Sequence, residues 1–283
     1  MNRIPGPAAT PAATIHTTAA STSTGRILID RQGHIATVTI ANEGKRNALT
    51  VQMWDTLRDT FRAFANDDAL RCVIVRGQGT EGFAAGADIS EFATVRSSRA
   101  QVTAFHEHTV RDALAAIHDC PVPVVALIQG ACAGGGLEIA SVCDLRIAGA
   151  SARLGIPIRT LGFSLALAEM QWLVRLVGQA VAAELLYEGR MLDAAQALAK
   201  GLLTRVVDDA EVEADALAAA ARIADSAPLA TRAHKRFLRR LAADPSPVTL
   251  EERLESYAFA DTEDYRIGVQ AFLNKRRPEF VGR

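Results

Sequence analysis

The chain has 283 residues, of which 49% are apolar and 22% charged, and its formal net charge is −1. That balance suits a globular protein with a substantial core, either one large α/β unit with a helical appendage or two domains. It gives no bulk field to gather nucleic acid or anionic lipid, and no apolar run reaches the roughly 18 residues that read as a membrane span.

Residues 1–24 are rich in Ala, Thr, Ser and Pro, carry no carboxylate and show no period. Such a segment buries too little apolar surface to offset its ordering entropy, so a disordered tail is expected. It lacks the apolar stretch of a secretory signal; a cytoplasmic protein is expected, with an organelle transit peptide, suggested by the few basic residues of the tail, as the alternative. From Gly25 strands and helices alternate. Residues 34–40 (HIATVTI) read as a strand. Thr50 is a plausible N-cap for a helix that repeats apolar residues at Met53, Leu57, Phe61 and Phe64. CVIVRG (72–77) is a short buried strand, and 99–118 form a helix with Val102, Phe105, Ala113, Leu114 and Ile117 on or near one face. VPVVALIQG (122–130) is another buried strand that runs through ACAGGG into a helix start, and DLRIAG (144–149) is a further strand.

Beyond about residue 165 the strand signal fades, and 166–187, 193–200, 211–225, 228–242 and 249–275 read as helices. Strands separated by helices imply parallel pairing through crossovers. The expected organisation is a tail (1–24), an α/β core (25–210) and a helical C-terminal region (211–283) suited to oligomerisation.

The four cysteines, Cys72, Cys120, Cys132 and Cys143, form no CxxC pair and read as small reduced core residues. Cys132 has a catalytic alternative because it adjoins the glycine run. His106 and His108, two apart, point to different sides of a helix; no HExxH occurs, and no metal site is expected.

The richest segment is VVALIQGACAGGGLEIA, a buried strand that breaks at glycines into a helix. The first N–H groups of that helix have no intrahelical partner and sit at its positive end, so the turn suits a phosphate or a developing oxyanion. A P-loop fails because Gly136 and Leu137 follow the Gly130–Gly135 spacing, and a dinucleotide fingerprint fails at Ile139. Glycines serving only close helix–strand packing remain the bland alternative.

Two more segments weigh against that alternative. KRNALT (45–50) follows the first strand, and EGFAAGADISEF (81–92) follows the second. With the glycine turn they resemble the xNAL box, the AGAD[IL] loop and the GxxxGGGxE turn of the crotonase (enoyl-CoA hydratase/isomerase) superfamily. YEGRMLDAAQALAKGLLTRVV (187–207) and TEDYRIGVQAFLNKRRPEF (262–280) resemble later parts of the same pattern, which together spans about 26–283.

The resemblance implies an α/β fold, a crotonase-like spiral of ββα units with a helical C-terminal region, assembled as a homotrimer or homohexamer. It implies an acyl-CoA substrate, as in fatty acid metabolism, with coenzyme A entering only as part of the substrate and no permanently bound cofactor. The thioester oxygen would accept from the backbone N–H groups of Ala87 and Gly135, and Glu138 would be a catalytic acid or base. Arg46, Ala48, Ala87, Asp88 and Ile89 would line the adenine and pantetheine path. Lys275, placed in the last helix, would meet the coenzyme's phosphates.

One family marker is missing. The second glutamate of the hydratases, in a PE dipeptide, aligns with Ile158 after Pro157, and the family's PGxGG reads LALAE (165–169). Conventional hydration uses both carboxylates, so it loses one of its groups. Arg159 and Glu169 are the nearest substitutes, and neither is favoured: Arg159 should point elsewhere, and Glu169, about three helical turns further along, should face away. The sequence therefore leaves a hydratase, a double-bond isomerase using Glu138 alone, a non-catalytic acyl-CoA binder and a related thioester hydrolase or decarboxylase. Without the resemblance, the runner-up is a nucleotide-binding dehydrogenase.

Overall fold

The computed structural model describes residues 25–283, and the tail expected over 1–24 lies outside them. The elements run β1 (Arg26–Gln32), β2 (Ile35–Ala41), α1 (Val51–Phe64), β3 (Cys72–Gly77), β4 (Gly82–Ala84), α2 (Phe92–Val95) and α3 (Arg99–Ala104). A π-helical stretch (Phe105–Val110) joins α3 to α4 (Arg111–Asp119). Then come β5 (Val124–Ile128), β6 (Ala131–Ala133), α5 (Gly135–Val142), β7 (Leu145–Gly149), β8 (Arg153–Gly155), α6 (Leu167–Glu188), β9 (Leu192–Asp193), α7 (Ala194–Ala199) and β10 (Arg205–Val207). The chain ends in α8 (Val212–Ala224), α9 (Pro228–Ala243), α10 (Leu250–Glu255) and α11 (Glu263–Leu273).

Six strands form one sheet in the order β1-β2-β3-β5-β7-β10, and four short ones form a second, β4-β6-β8-β9. After the β1–β2 hairpin every pairing in the first sheet is parallel. The chain winds as a spiral: β3 then β4, β5 then β6, β7 then β8, each pair leaving one strand in each sheet before a helix returns. This is the ββα spiral the motifs imply.

Period-two alternation places the two faces of the first sheet. Val73 and Val75 of β3 join the main core with Leu57, Phe61, Leu114, Ile117 and Leu137. Ile74, between them, packs with Val125, Leu127 and Ile147 under Val212, Ala216 and Ala220 of α8. Thus α8, although it follows residue 210, covers the outer face of the core sheet. On α9, Lys235 is buried against Asp144 (2.5 Å) and the Val122 carbonyl (2.6 Å), which seats that helix on the start of β5.

Several elements differ from the sequence reading. β1 is a mostly exposed edge strand, and its burial gives no clear alternation. The short strands of the second sheet, two or three residues each, are below the length at which a period can be read. β9 and β10 continue the sheets past residue 165. The single helix expected over 249–275 is α10, a 3-10 turn (Ala258–Asp261) and α11, because Thr262 turns extended and its hydroxyl accepts from the Tyr265 N–H. The helix of 166–187 is interrupted at Gly178, whose φ of 76° is not helical.

Candidate active site

A cavity of about 120 Å³ opens where the spiral's turns meet, and its lining includes Trp54, Gly86, Ala87, Gly135, Glu138 and Glu169. One wall is main chain. Gly134 takes φ 48°, a left-handed conformation open to glycine, and lets α5 start at Gly135 directly after β6. A Cβ on Gly135 would lie 2.8 Å from Cζ2 of buried Trp54, and one on Gly136 would lie 2.3 Å from the Ala84 carbonyl oxygen. The run is therefore glycine because two neighbouring layers touch its backbone, and the same closeness lets a ligand reach its amides.

Ala87 is set by a parallel bridge to Leu49. The Leu49 N–H donates to the Gly86 carbonyl (2.8 Å), and the Asp88 N–H donates to the Leu49 carbonyl (2.8 Å). That ladder uses the groups either side of Ala87 and turns its own N–H to the opposite side. Gly86 lies against the other turn, since a Cβ on it would be 3.7 Å from the Gly135 nitrogen. Ala87 and Gly135 thus share one cavity.

The NAL box holds these loops. The buried side chain of Asn47 donates to the carbonyls of Gly82 (2.7 Å) and Gln78 (3.0 Å) and accepts from the Asn42 N–H (3.1 Å). Ala48 is buried; Arg46 is exposed, with its carbonyl accepting from the Ala85 N–H at 3.0 Å. Asp88 caps the 3-10 turn Ile89–Glu91 through the Ser90 N–H and pairs with Lys45 at 2.7 Å. Burial pushes its carboxyl up, but Lys45 and Ser90 prevail and hold it below the ordinary range. Ile89, 69% exposed, borders the cavity. Lys275 lies beyond the end of α11, not within it, and is not part of the cavity lining. A larger cavity of about 840 Å³, lined by Phe237 of α9, Phe259 of the 3-10 turn Ala258–Asp261 and Phe272 of α11 among others, shares no lining residue with this one.

The other wall is polar and comes from four segments. Glu138, on the first turn of α5, is half-buried with its N–H bonded to the Gly134 carbonyl (3.0 Å). Burial, and then the nearby charge of Glu169, push its carboxyl well above the usual carboxylate range, with Arg96 opposing. Glu169, on the first turn of α6, faces inward with its side chain only 1% exposed. This corrects the expectation that it faces away. The missed signal is spacing: Leu173, four residues on in α6, and Leu165, four residues back and just ahead of the helix, are both buried, so the glutamate lies on the inward face.

His106 joins this wall. Its Nδ1 lies 2.6 Å from Glu169 Oε1, and its Nε2 lies 2.6 Å from Arg96 Nη2. A guanidinium only donates, so Nε2 accepts, the ring proton sits on Nδ1, and Nδ1–H donates to Glu169. The π-helical turn that carries His106 adds a residue to the helix there, a change of register often found at functional sites. The Arg96 guanidinium stands 4.4 Å from the ring centroids of Phe92 and Phe105 and 5.2 Å from that of Phe163. Burial lowers its pKa, while Glu169 and Glu138 hold it up. Three buried polar atoms have no hydrogen-bond partner here: Glu169 Oε2, Arg96 Nε and Trp54 Nε1.

Ile158 lines the cavity as an apolar group. Arg159 is exposed and lies against Gly189, where a Cβ would be 3.0 Å from its Cδ. Cys132 is fully buried in β6, where desolvation raises its thiol pKa, and it reads as a core residue.

Comparison with known proteins bears on the family and the fold. A family model described as enoyl-CoA hydratase/isomerase matches residues 30–283. A solved enoyl-CoA hydratase/carnithine racemase from Magnetospirillum magneticum superposes with a TM-score of 0.88 at 44% identity, covering 91% of this chain and 96% of that one. A probable enoyl-CoA hydratase of Bacillus subtilis is 35% identical over 88% of this chain and 95% of its own length. A short-chain-enoyl-CoA hydratase of Clostridium acetobutylicum is 32% identical over 89% and 96%.

Proposed function

Since the chain belongs to the enoyl-CoA hydratase/isomerase family, we propose that it is an enzyme that moves protons at the carbons beside an acyl-CoA thioester carbonyl. Glu138 is the acid/base group, and the N–H groups of Ala87 and Gly135 receive the thioester oxygen. The observation that carries this reading is the position of Glu138 on the same small cavity as those two residues. Two main-chain donors polarise the carbonyl, which acidifies the α-carbon and makes the β-carbon of a conjugated enoyl group electrophilic. A buried carboxyl whose pKa is raised by desolvation holds its proton more firmly than a free one, and can give it to an enolate carbon and take it back.

The cavity volume of about 120 Å³ is well below the roughly 300–1,000 Å³ of drug-sized sites. It supports a short acyl group, as does the name of the Clostridium relative. Backbone around Arg46, Ala48, Asp88 and Ile89 takes the adenine and pantetheine, and Lys275 meets phosphates across a subunit boundary in a homotrimer or homohexamer.

The test is turnover of saturated, 2-enoyl and 3-enoyl CoA esters beside thermal protection by the same esters. Glu138→Gln is expected to lose about 10²–10⁴-fold in rate with protection kept. Wild-type protein that is protected but turns over no ester is a binder, and protection by NAD instead of CoA esters points to a dehydrogenase; either result overturns the proposal.

A further inference from the structure

We propose that Glu169 is the second catalytic carboxylate of this site, the base that takes a proton from water as it adds to a 2-enoyl thioester, with His106 and Arg96 as its positioning residues. The inference rests on the function proposed above and names its reaction as hydration, using a carboxylate from outside the position that carries Ile158.

Three observations lead there. Glu169 lines the same cavity as Glu138, Ala87 and Gly135. Its Oε2 is buried without a hydrogen-bond partner, while Oε1 accepts from His106. A buried acceptor left unpaired is costly, so this oxygen calls for a donor from the cavity, and the O–H of a bound water is one. Lastly, the residues four before and four after Glu169, Leu165 ahead of α6 and Leu173 within it, are buried leucines, so a leucine at 169 would suit the core with no desolvation cost. A carboxylate kept there is held by a side-chain chain of its own, Arg96 to His106 to Glu169.

The two glutamates are suited to opposite tasks. His106 presents an N–H to one oxygen of Glu169 and leaves the other free to accept. Burial and the neighbouring carboxylate favour the protonated form of Glu138. As the water oxygen bonds to the β-carbon, its proton passes to Glu169 Oε2. The C=C electron pair moves to the α-carbon and the thioester oxygen, where the Ala87 and Gly135 amides receive the charge. Glu138 then protonates the α-carbon. Water has been divided between the two carbons, and one proton transfer from Glu169 to Glu138 through the next water restores the starting state. No oxidant, metal or other co-reactant is needed.

A purely structural role, in which the chain of side chains only braces α6 against the π-helical turn, predicts something different. The experiment compares two activities of each variant: hydration of a short 2-enoyl-CoA, read by loss of the conjugated thioester absorbance, and deuterium uptake at the α-carbon of the saturated ester. Exchange needs Glu138 and the amides only. Glu169→Gln is expected to lower hydration by about 10²–10⁴-fold, while α-exchange, compared between the two proteins on the high-pH plateau where Glu138 is ionised, falls far less. A loss shared equally by both activities, or hydration that survives, overturns the proposal. A wild-type protein inert in both assays overturns the function proposed above, and this inference with it. Should Glu169→Gln melt, His106 carries the test. His106→Leu removes the donor to Glu169 and should depress hydration selectively, whereas His106→Asn, whose amide can replace Nδ1–H, should restore most of it. Equal effects of the two overturn the assignment.

Discussion

The two walls of the cavity are built on different plans. The first is main chain, contributed by the turns at Gly86–Ala87 and Gly134–Gly135, and its groups are fixed by backbone bonds and by the layers above and below. The second is side chain, with Arg96, His106, Glu138 and Glu169 delivered from separate segments and fixed by one another. A main-chain site depends on local conformation, so it is written as contiguous motifs. A side-chain site depends on packing between distant segments, and no stretch of sequence contains it.

The main-chain wall should break most abruptly. Gly135→Ala puts a Cβ 2.8 Å from Trp54 Cζ2, so either the indole or the turn must move, and the amide of residue 135 moves with the turn. Loss of one oxyanion donor costs roughly 10²–10³ in rate, and that loss in kcat is expected here with substrate protection largely kept. Trp54→Phe removes the obstructing ring atoms. The double variant should therefore recover at least part of the loss, a non-additivity that marks direct contact. Strict additivity would mean that the turn is not positioned by the indole.

Asn47→Ala tests what holds that wall together. It strips donors from the Gly82 and Gln78 carbonyls and the acceptor from the Asn42 N–H, all at a largely buried site. A cost of about 1–3 kcal/mol is expected in denaturant unfolding. A variant within error of wild type would show that water replaces the amide without penalty.

The fold was largely readable because β3 and β5 are short, mostly apolar and buried runs of the kind parallel sheets require, and β2 is rich in β-branched residues. The second sheet was not, since its strands are too short for a period and are recognised only from their partners across the spiral. The same division holds at the site. Ala87, Gly135 and Glu138 stand in motifs, whereas His106 carries no local signal beyond its place on an apolar helix. Its pairing with a residue 63 positions away is a tertiary fact. Glu169 was open to inference from its four-residue spacing with Leu165 and Leu173, but periodicity there suggests burial, not function.

The side-chain wall should respond in charge before it responds in fold. Burial raises the Glu138 pKa, the Glu169 charge raises it further and the Arg96 cation opposes both; His106, hydrogen-bonded between Arg96 and Glu169, is the remaining polar group facing them from the π-helical turn. If Glu138 must be ionised to take an α-proton, exchange rises with pH through its pKa. Arg96→Gln removes the one opposing cation, so that rise should move to higher pH, and Glu169→Gln should move it to lower pH. A limb that stays in place in both variants would separate Glu138 from this cluster.

The smallest effect should come from the ion pair between Lys45 and Asp88, beside the proposed coenzyme path. The lysine side chain is 42% exposed, so solvent screens the pair and its worth is about 0–1 kcal/mol. Asp88 also accepts from the Ser90 N–H (3.1 Å) and hydroxyl (2.6 Å), and these bonds remain in Lys45→Met. The 3-10 turn after Ala87 should therefore keep its cap, with stability nearly unchanged and α-exchange intact. An exchange loss comparable to that of Gly135→Ala would mean that a surface charge, not the Leu49–Ala87 bridge, aims the Ala87 amide, and the contrast between a backbone wall and a side-chain wall would fail at its firmest point.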